Sequence, residues 1–125
     1  MSYLLDTHTL LWWLSDHPTL SEEARNIIAA PENIIFVSAA SAWEIGIKKA
    51  IGKLEAPEDL ETAIAVNHFE TLPITITDGL SVEKLPNYHQ DPFDRMLIAQ
   101  AMANNLTIIT RDSQFSQYGL RLILA

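Results

Sequence analysis

The sequence predicts an α/β protein of three layers, with a central, mostly parallel sheet covered by helices on both faces. Two observations lead there. Short apolar runs such as Ile34-Ile35-Phe36-Val37 alternate along the chain with longer segments whose apolar residues recur at helical spacing. Strands joined by helix-length crossovers pair in parallel, and the helices then cover the sheet. The chain has 125 residues, 48% hydrophobic and 19% charged, which bounds it to one globular domain, 1–125, with a single core.

Residues 2–6 read as the first strand, ending at Asp6. Leu10, Leu11 and Leu14 mark one face of the helix that follows, and Trp12 and Trp13 widen it. Ser21 introduces a second helix to about Ala30, with Glu22 and Glu23 in the first turn, where the helix dipole favours acids. Pro31-Glu32-Asn33 breaks that helix before the strand 34–37. A third helix starts at Ser38 or Ser41, runs to about Ile51 and closes at Gly52. Pro57 suits the first position of a fourth helix, 57–68. A short strand at 71–76, a short helix from Thr77 to Leu85 and a loop over Pro86-Asn87-Tyr88-His89-Gln90 come next. Asp91-Pro92 opens the most amphipathic helix, to about Asn104. A strand at 106–110, a short helix from Asp112 and a last strand at 120–124 complete the chain.

In open α/β sheets, ligands bind outside the carboxyl ends of the strands. Asp6 stands at the end of the first strand, and Asp112 follows Thr110-Arg111 at the end of the fourth. Glu44 lies about two turns into the helix after the second strand, and Asp91 and Asp94 lie in the first turn of the long helix. Right-handed crossovers bring these positions to one edge. Carboxylates gathered that closely repel one another unless a cation neutralises them. A donor set of oxygens, without a His or Cys cluster, suits Mg²⁺ or Mn²⁺. Each acid also has a capping reading. Asp6 and Asp112 can cap the helices they precede, Asp91-Pro92-Phe93-Asp94 reads as an N-cap followed by an N1 proline and an N3 acid, and Ser41-Ala42-Trp43-Glu44 matches a capping box. Capping accounts for acids at helix starts, but not for an acid straight after a run as apolar as Tyr3-Leu4-Leu5.

Composition excludes several chemistries. With no cysteine, disulfides, thiolate zinc sites and thiol catalysis are ruled out, and the chain suits the cytoplasm. His8, His17, His68 and His89 share no tight spacing of the kind zinc sites use; they read as structural or loop residues, with His89 the one that could lie near the acids. No stretch approaches the roughly 20 apolar residues of a membrane span. The opening Met1-Ser2-Tyr3-Leu4-Leu5-Asp6 has no basic region and reads as a strand, not a signal peptide. A net charge of −8 runs against the basic face usual in nucleic-acid binders. Binding RNA then requires that some acids hold metal and that the few bases are local.

Four segments carry a family resemblance. Leu4-Leu5-Asp6-Thr7-His8, Ser38-Ala39-Ala40-Ser41-Ala42-Trp43-Glu44-Ile45, the run from Asp91-Pro92-Phe93-Asp94 to Ala101, and Ile108-Ile109-Thr110-Arg111-Asp112 with Phe115 shortly after stand in order along nearly the whole chain. Together they resemble the four motifs of PIN domains of the VapC-like toxin group, also described as similar to the PilT N-terminal region. The resemblance implies an α/β/α domain whose acidic pocket binds one or two divalent ions through Asp6, Glu44, Asp94 and Asp112. Asp91, one helical turn before Asp94, could share or take that role, and Thr7 and Thr110 would support the carboxylates. The implied activity is metal-dependent endoribonuclease cleavage, in which a metal-activated water attacks an RNA phosphodiester.

Candidate substrate contacts are Arg95, Arg111 and Lys48. Lys48 and Lys49 equally suit a helix C-terminus, and the two arginines could simply pair with the neighbouring acids. Trp12, Trp13 and Trp43 suit base stacking, core packing or dimer packing. The resemblance also implies a cognate antitoxin that docks a hydrophobic segment in a groove and covers the site. It further implies a homodimer, for which Trp12-Trp13 is a candidate contact. A haloacid-dehalogenase-like phosphatase would need an Asp where His8 stands, and a receiver domain needs a late lysine where none follows Lys84. A non-catalytic PIN-like protein-binding module is the alternative that the sequence leaves open.

Overall fold

In the computed structural model, which describes residues 1–125, five strands form one all-parallel sheet in the order β3-β2-β1-β4-β5. They are β1 (Ser2–Leu5), β2 (Ile34–Ser38), β3 (Glu70–Leu72), β4 (Thr107–Thr110) and β5 (Leu122–Leu124). The helices are α1 (Thr7–Leu14), α2 (Glu22–Ala29), α3 (Ala39–Ala50), α4 (Leu60–Val66), α5 (Ile76–Ser81) and α6 (Pro92–Asn104), with 3₁₀ segments at Val82–Lys84 and Ser113–Tyr118.

Successive strand residues point to opposite faces, so a strand covered on both sides must be apolar throughout. Tyr3 and Leu5 of β1 and Ile109 of β4 pack on one face with Leu10, Ala24, Ile28 and Ile64 from α1, α2 and α4. Leu4 and Ile108 point the other way and meet Leu97, Ile98 and Ala101 of α6, with Phe115 and Tyr118. Each fully buried leucine or isoleucine contributes about 1.5–3 kcal/mol. This is the predicted three-layer fold.

Three local expectations are corrected. Helix α4 starts at Leu60, not Pro57, because the Asp59 carboxylate caps it by accepting from Thr62 N. Strand β3 pairs only over residues 70–72, because Thr75 and Asp78 form a reciprocal capping box that starts α5 at Ile76. Helix α6, expected to be the most two-faced, buries five consecutive residues from Leu97 to Ala101, wedged between the sheet, α5 and α3. Asn105 ends it in the left-handed conformation (φ +53°), which asparagine tolerates better than most residues.

Candidate active site

The chain leaves β1 toward β2 and leaves β4 toward β5, on opposite sides of the sheet. A crevice opens at that reversal, outside the carboxyl ends of β1 and β4. Asp6 is the residue after β1, and Asp112 is the second after β4.

Asp6 has two jobs at once. Its Oδ1 caps α1 by accepting from Thr9 N at 2.8 Å, while Oδ2 accepts from the Thr110 hydroxyl at 2.5 Å. Burial pushes its pKa up, and the hydrogen bonds from Thr110 and Thr9 oppose that shift. Thr110 Oγ1 also accepts from Asp112 N at 3.0 Å, so one hydroxyl ties together the acids of two neighbouring strands. Asp112 Oδ1 in turn caps the following 3₁₀ segment through Gln114 N.

Glu44 is not part of a capping box. Pairing with β1 and β3 extends β2 through Ser38, whose hydroxyl caps α3 by accepting from Ala40 N; Ser41 is therefore already inside the helix. Glu44 falls in the second turn and is buried. The Thr7 hydroxyl lies 2.7 Å from Glu44 Oε1 and 3.0 Å from Ser41 Oγ. Having one proton, it donates to the carboxylate and accepts from Ser41. Lys48, one turn on, pairs with Glu44 Oε2 at 2.5 Å. That hydrogen bond is the main reason the ammonium pKa is raised.

Asp91 caps α6, its Oδ1 accepting from Phe93 N (2.8 Å) and Asp94 N (3.0 Å). Asp94 has no such backbone compensation. Burial first, and then the charges of Asp91, Asp6, Glu44 and Asp112, push its carboxyl up to about 8.

These five acids line one pocket of about 230 Å³ with Thr7, His8, Trp12, Lys48 and Arg111. A cation among these acids would offset both the burial of Asp94 and the repulsion between its neighbours. The donor set is mainly carboxylate oxygen, which fits a hard divalent ion.

Residues 3–120 match the family model of the PIN domain. The chain belongs to the PIN-domain family. It is similar to "Ribonuclease VapC22" of Mycobacterium tuberculosis, 27% identical over 92% of this chain and 90% of that protein. The fold is similar to a chain in the structure of VapBC2 from Rickettsia felis bound to a promoter DNA fragment, with a TM-score of 0.72, 18% identity and 98% of each chain covered. It is also similar to a chain of a toxin–antitoxin complex from Klebsiella pneumoniae, with a TM-score of 0.64, 20% identity, and 98% of this chain and 96% of that one covered.

The PIN domain adds a residue to the acidic cluster that the sequence reading left at its margin. His89 Nε2 lies 2.8 Å from Asp112 Oδ2 and 3.1 Å from Asp94 Oδ2. Its Nδ1 accepts from Asp91 N at 3.2 Å, which leaves the ring proton on Nε2 to be donated to the carboxylates. His89 is thus buried among three acids of the pocket and joins Asp112 to Asp94. Its only sequence signal is its place two residues before Asp91.

Arg95 does not line the pocket of the PIN domain. Its guanidinium donates to the carbonyls of Val82, Leu85, Pro86 and His89 at 3.0–3.3 Å and clamps the loop that carries His89. Four carbonyls converge on this one planar donor, so the loop and not the pocket engages the Arg95 guanidinium. Arg111 does reach the pocket wall, anchored on Ala125 O at 2.6 and 2.9 Å, with its guanidinium over the Trp12 ring at 5.9 Å. Lys49 is drawn aside to Pro57 O. Lys48 and Arg111 are therefore the two cationic side chains of the pocket wall. No helix is long and apolar enough to cross a membrane.

Proposed function

We propose that this PIN domain is a divalent-metal-dependent endoribonuclease, a toxin neutralised by a cognate antitoxin protein. The observation that carries the reading is the convergence of five carboxylates on one pocket, where burial and the neighbouring acids push Asp94 up to about 8. Its similarity to a protein named as a ribonuclease and to a chain of a toxin–antitoxin complex supports the substrate class and the partner.

Asp6, Glu44, Asp94 and Asp112 would hold Mg²⁺ or Mn²⁺, with Asp91 lining the same pocket. When bound, the ion supplies an acidified water and neutralises charge on the phosphate. The chain's own residues orient that chemistry. Thr7 and Thr110 fix Glu44 and Asp6, and His89 holds Asp112. Lys48 and Arg111, on the pocket wall, would meet phosphate oxygens at the rim. A homodimer is also part of this reading. Trp43 of α3 and Ile76 and Leu80 of α5 are exposed apolar side chains that such a contact could use beside the Trp12-Trp13 pair. Trp13 is committed inward, its Nε1 donating to Asn67 Oδ1 at 2.9 Å beside Phe69.

Partner-free protein incubated with a structured RNA pool in Mg²⁺, Mn²⁺ or EDTA tests the activity. Metal-dependent cleavage that vanishes in Asp6→Asn and Asp94→Asn, with Asp91→Asn less affected, is the expected result. Folded protein that cuts nothing, and whose metal affinity ignores these substitutions, would make the acids caps and the domain a binding module.

A further inference from the structure

We infer that the groove beside the carboxylate pocket seats the nucleobase adjoining the scissile phosphate, with the Trp12 indole as its stacking platform. The inference rests on the ribonuclease reading and specifies where the substrate lies. The groove, about 500 Å³, runs between α1 and the Leu54–Pro57 strap, and Trp12 and His8 line both it and the acidic pocket. These two side chains thus separate a place for charge from a place for an apolar ring. The acidic pocket has five carboxylates and one hydrophobic lining residue; the groove has one carboxylate, Glu55, and five hydrophobic lining residues.

A nucleotide has the matching division, an anionic phosphate next to a neutral, flat base. With the phosphate at the acidic pocket, its neighbouring base has only the Trp12 wall to pass. Both indoles pack against the core, but only Trp12 lines the groove. Trp13 is turned inward onto Phe69 and Asn67, whereas Trp12 is half-buried and held in place by Arg111, itself anchored on Ala125. A ring already fixed loses little freedom when a base stacks on it. His8 and His17 flank Trp12 with ring centroids at 6.1 Å, and they offer the groove polar atoms for the base edge.

Stacking on an aromatic side chain is worth about 5- to 150-fold per base. The test uses the full-length protein, an RNA oligonucleotide with a mapped cut site, and the same oligonucleotide with an abasic ribonucleotide on one side or the other of the cut. The abasic substitution at one flanking position is expected to lower kcat/KM by about 10- to 100-fold for the unaltered protein. Trp12→Leu should lower cleavage of the parent RNA by a similar factor and Trp12→Phe by much less. Trp12→Leu should then cost nothing further on the abasic RNA. Losses that multiply, or a Trp12→Leu protein that cuts normally, would overturn the inference. A second readout is independent of cleavage: the indole N–H resonance of Trp12 in the intact protein, assigned by its disappearance in Trp12→Phe. It should shift with short single-stranded RNA and less with the abasic strand. If the protein cuts no RNA but this selective shift occurs, the ribonuclease reading fails and the groove stands as a base site. A resonance that ignores RNA but responds to a protein partner would reassign the groove to that partner.

Discussion

Replacing Asp94 with asparagine probes the electrostatics of the pocket before any RNA is added. The Asp94 carboxyl is raised from 3.8 to about 8, by burial and then by Asp91, Asp6, Glu44 and Asp112. A raised value in the folded state means that the folded protein keeps a proton which the unfolded chain releases. The contribution of this group is therefore intact below about pH 4 and is lost progressively as the pH climbs toward about 8. At about pH 7 the unfolded chain gains roughly 4 kcal/mol by ionising the group, and the folded chain gains almost nothing. Neighbouring acids share the proton and the side chain is partly solvated, so about 1–3 kcal/mol is the increment expected at the bench. Asparagine has the same shape and no charge to lose. In EDTA, Asp94→Asn should therefore stabilise the protein by about 1–3 kcal/mol at about pH 7.5, and by clearly less at about pH 5. Saturating divalent metal should reverse the sign, because the substitution then removes a ligand. Urea denaturation at both pH values, with and without metal, measures all of this. A variant no more stable than the parent at about pH 7.5 in EDTA would refute the picture of a buried acid crowded by its neighbours.

Three further outcomes follow from the hydrogen-bond geometry. Asp6→Asn keeps one acceptor oxygen, enough for Thr9 N, and turns an amide N–H toward Thr110, whose hydroxyl must then accept; it should fold within about 1–2 kcal/mol of the parent while losing about 100-fold or more of its activity, and thermal melts and RNA cleavage separate the two effects. His89→Ala frees Asp112 and should weaken metal binding by about 10- to 100-fold in calorimetric titration, with His89→Gln recovering part of the loss by donating to the same carboxylate. Arg95→Ala removes the clamp on four loop carbonyls and should cost about 2–4 kcal/mol of stability, yet leave the salt dependence of RNA binding unchanged; a shallower salt slope would return Arg95 to the phosphate contacts.

Much of the site was legible in the residues. Asp6, Glu44, Asp91, Asp94 and Asp112 were singled out by their positions after strands and at helix starts, and all five line the pocket. Capping does not keep an acid out of the pocket, since Asp6 caps α1 with one oxygen and accepts from Thr110 with the other. The region from Leu54 to Leu80 was read less well. Pro57 competed with Asp59 and Thr77 with Thr75, and each contest turned on which side chain reached a backbone amide. The Ser41 capping box failed because β2 pairing carries the strand through Ser38. Nothing local distinguished an arginine that clamps a loop from one that lines the pocket, or Trp12 from Trp13.

By itself, the sequence determined the order of strands and helices, the all-apolar strands of a sheet covered on both faces, and the identity of the acids at the strand exits. These are local matters of hydrophobic period, caps and side-chain chemistry. Only the tertiary structure decided that Thr110 reaches across the sheet to Asp6, that Thr7 holds Glu44, and that His89 links Asp112 to Asp94. Those contacts join residues far apart along the chain through the pairing of parallel strands, and that pairing is fixed by packing over the whole core.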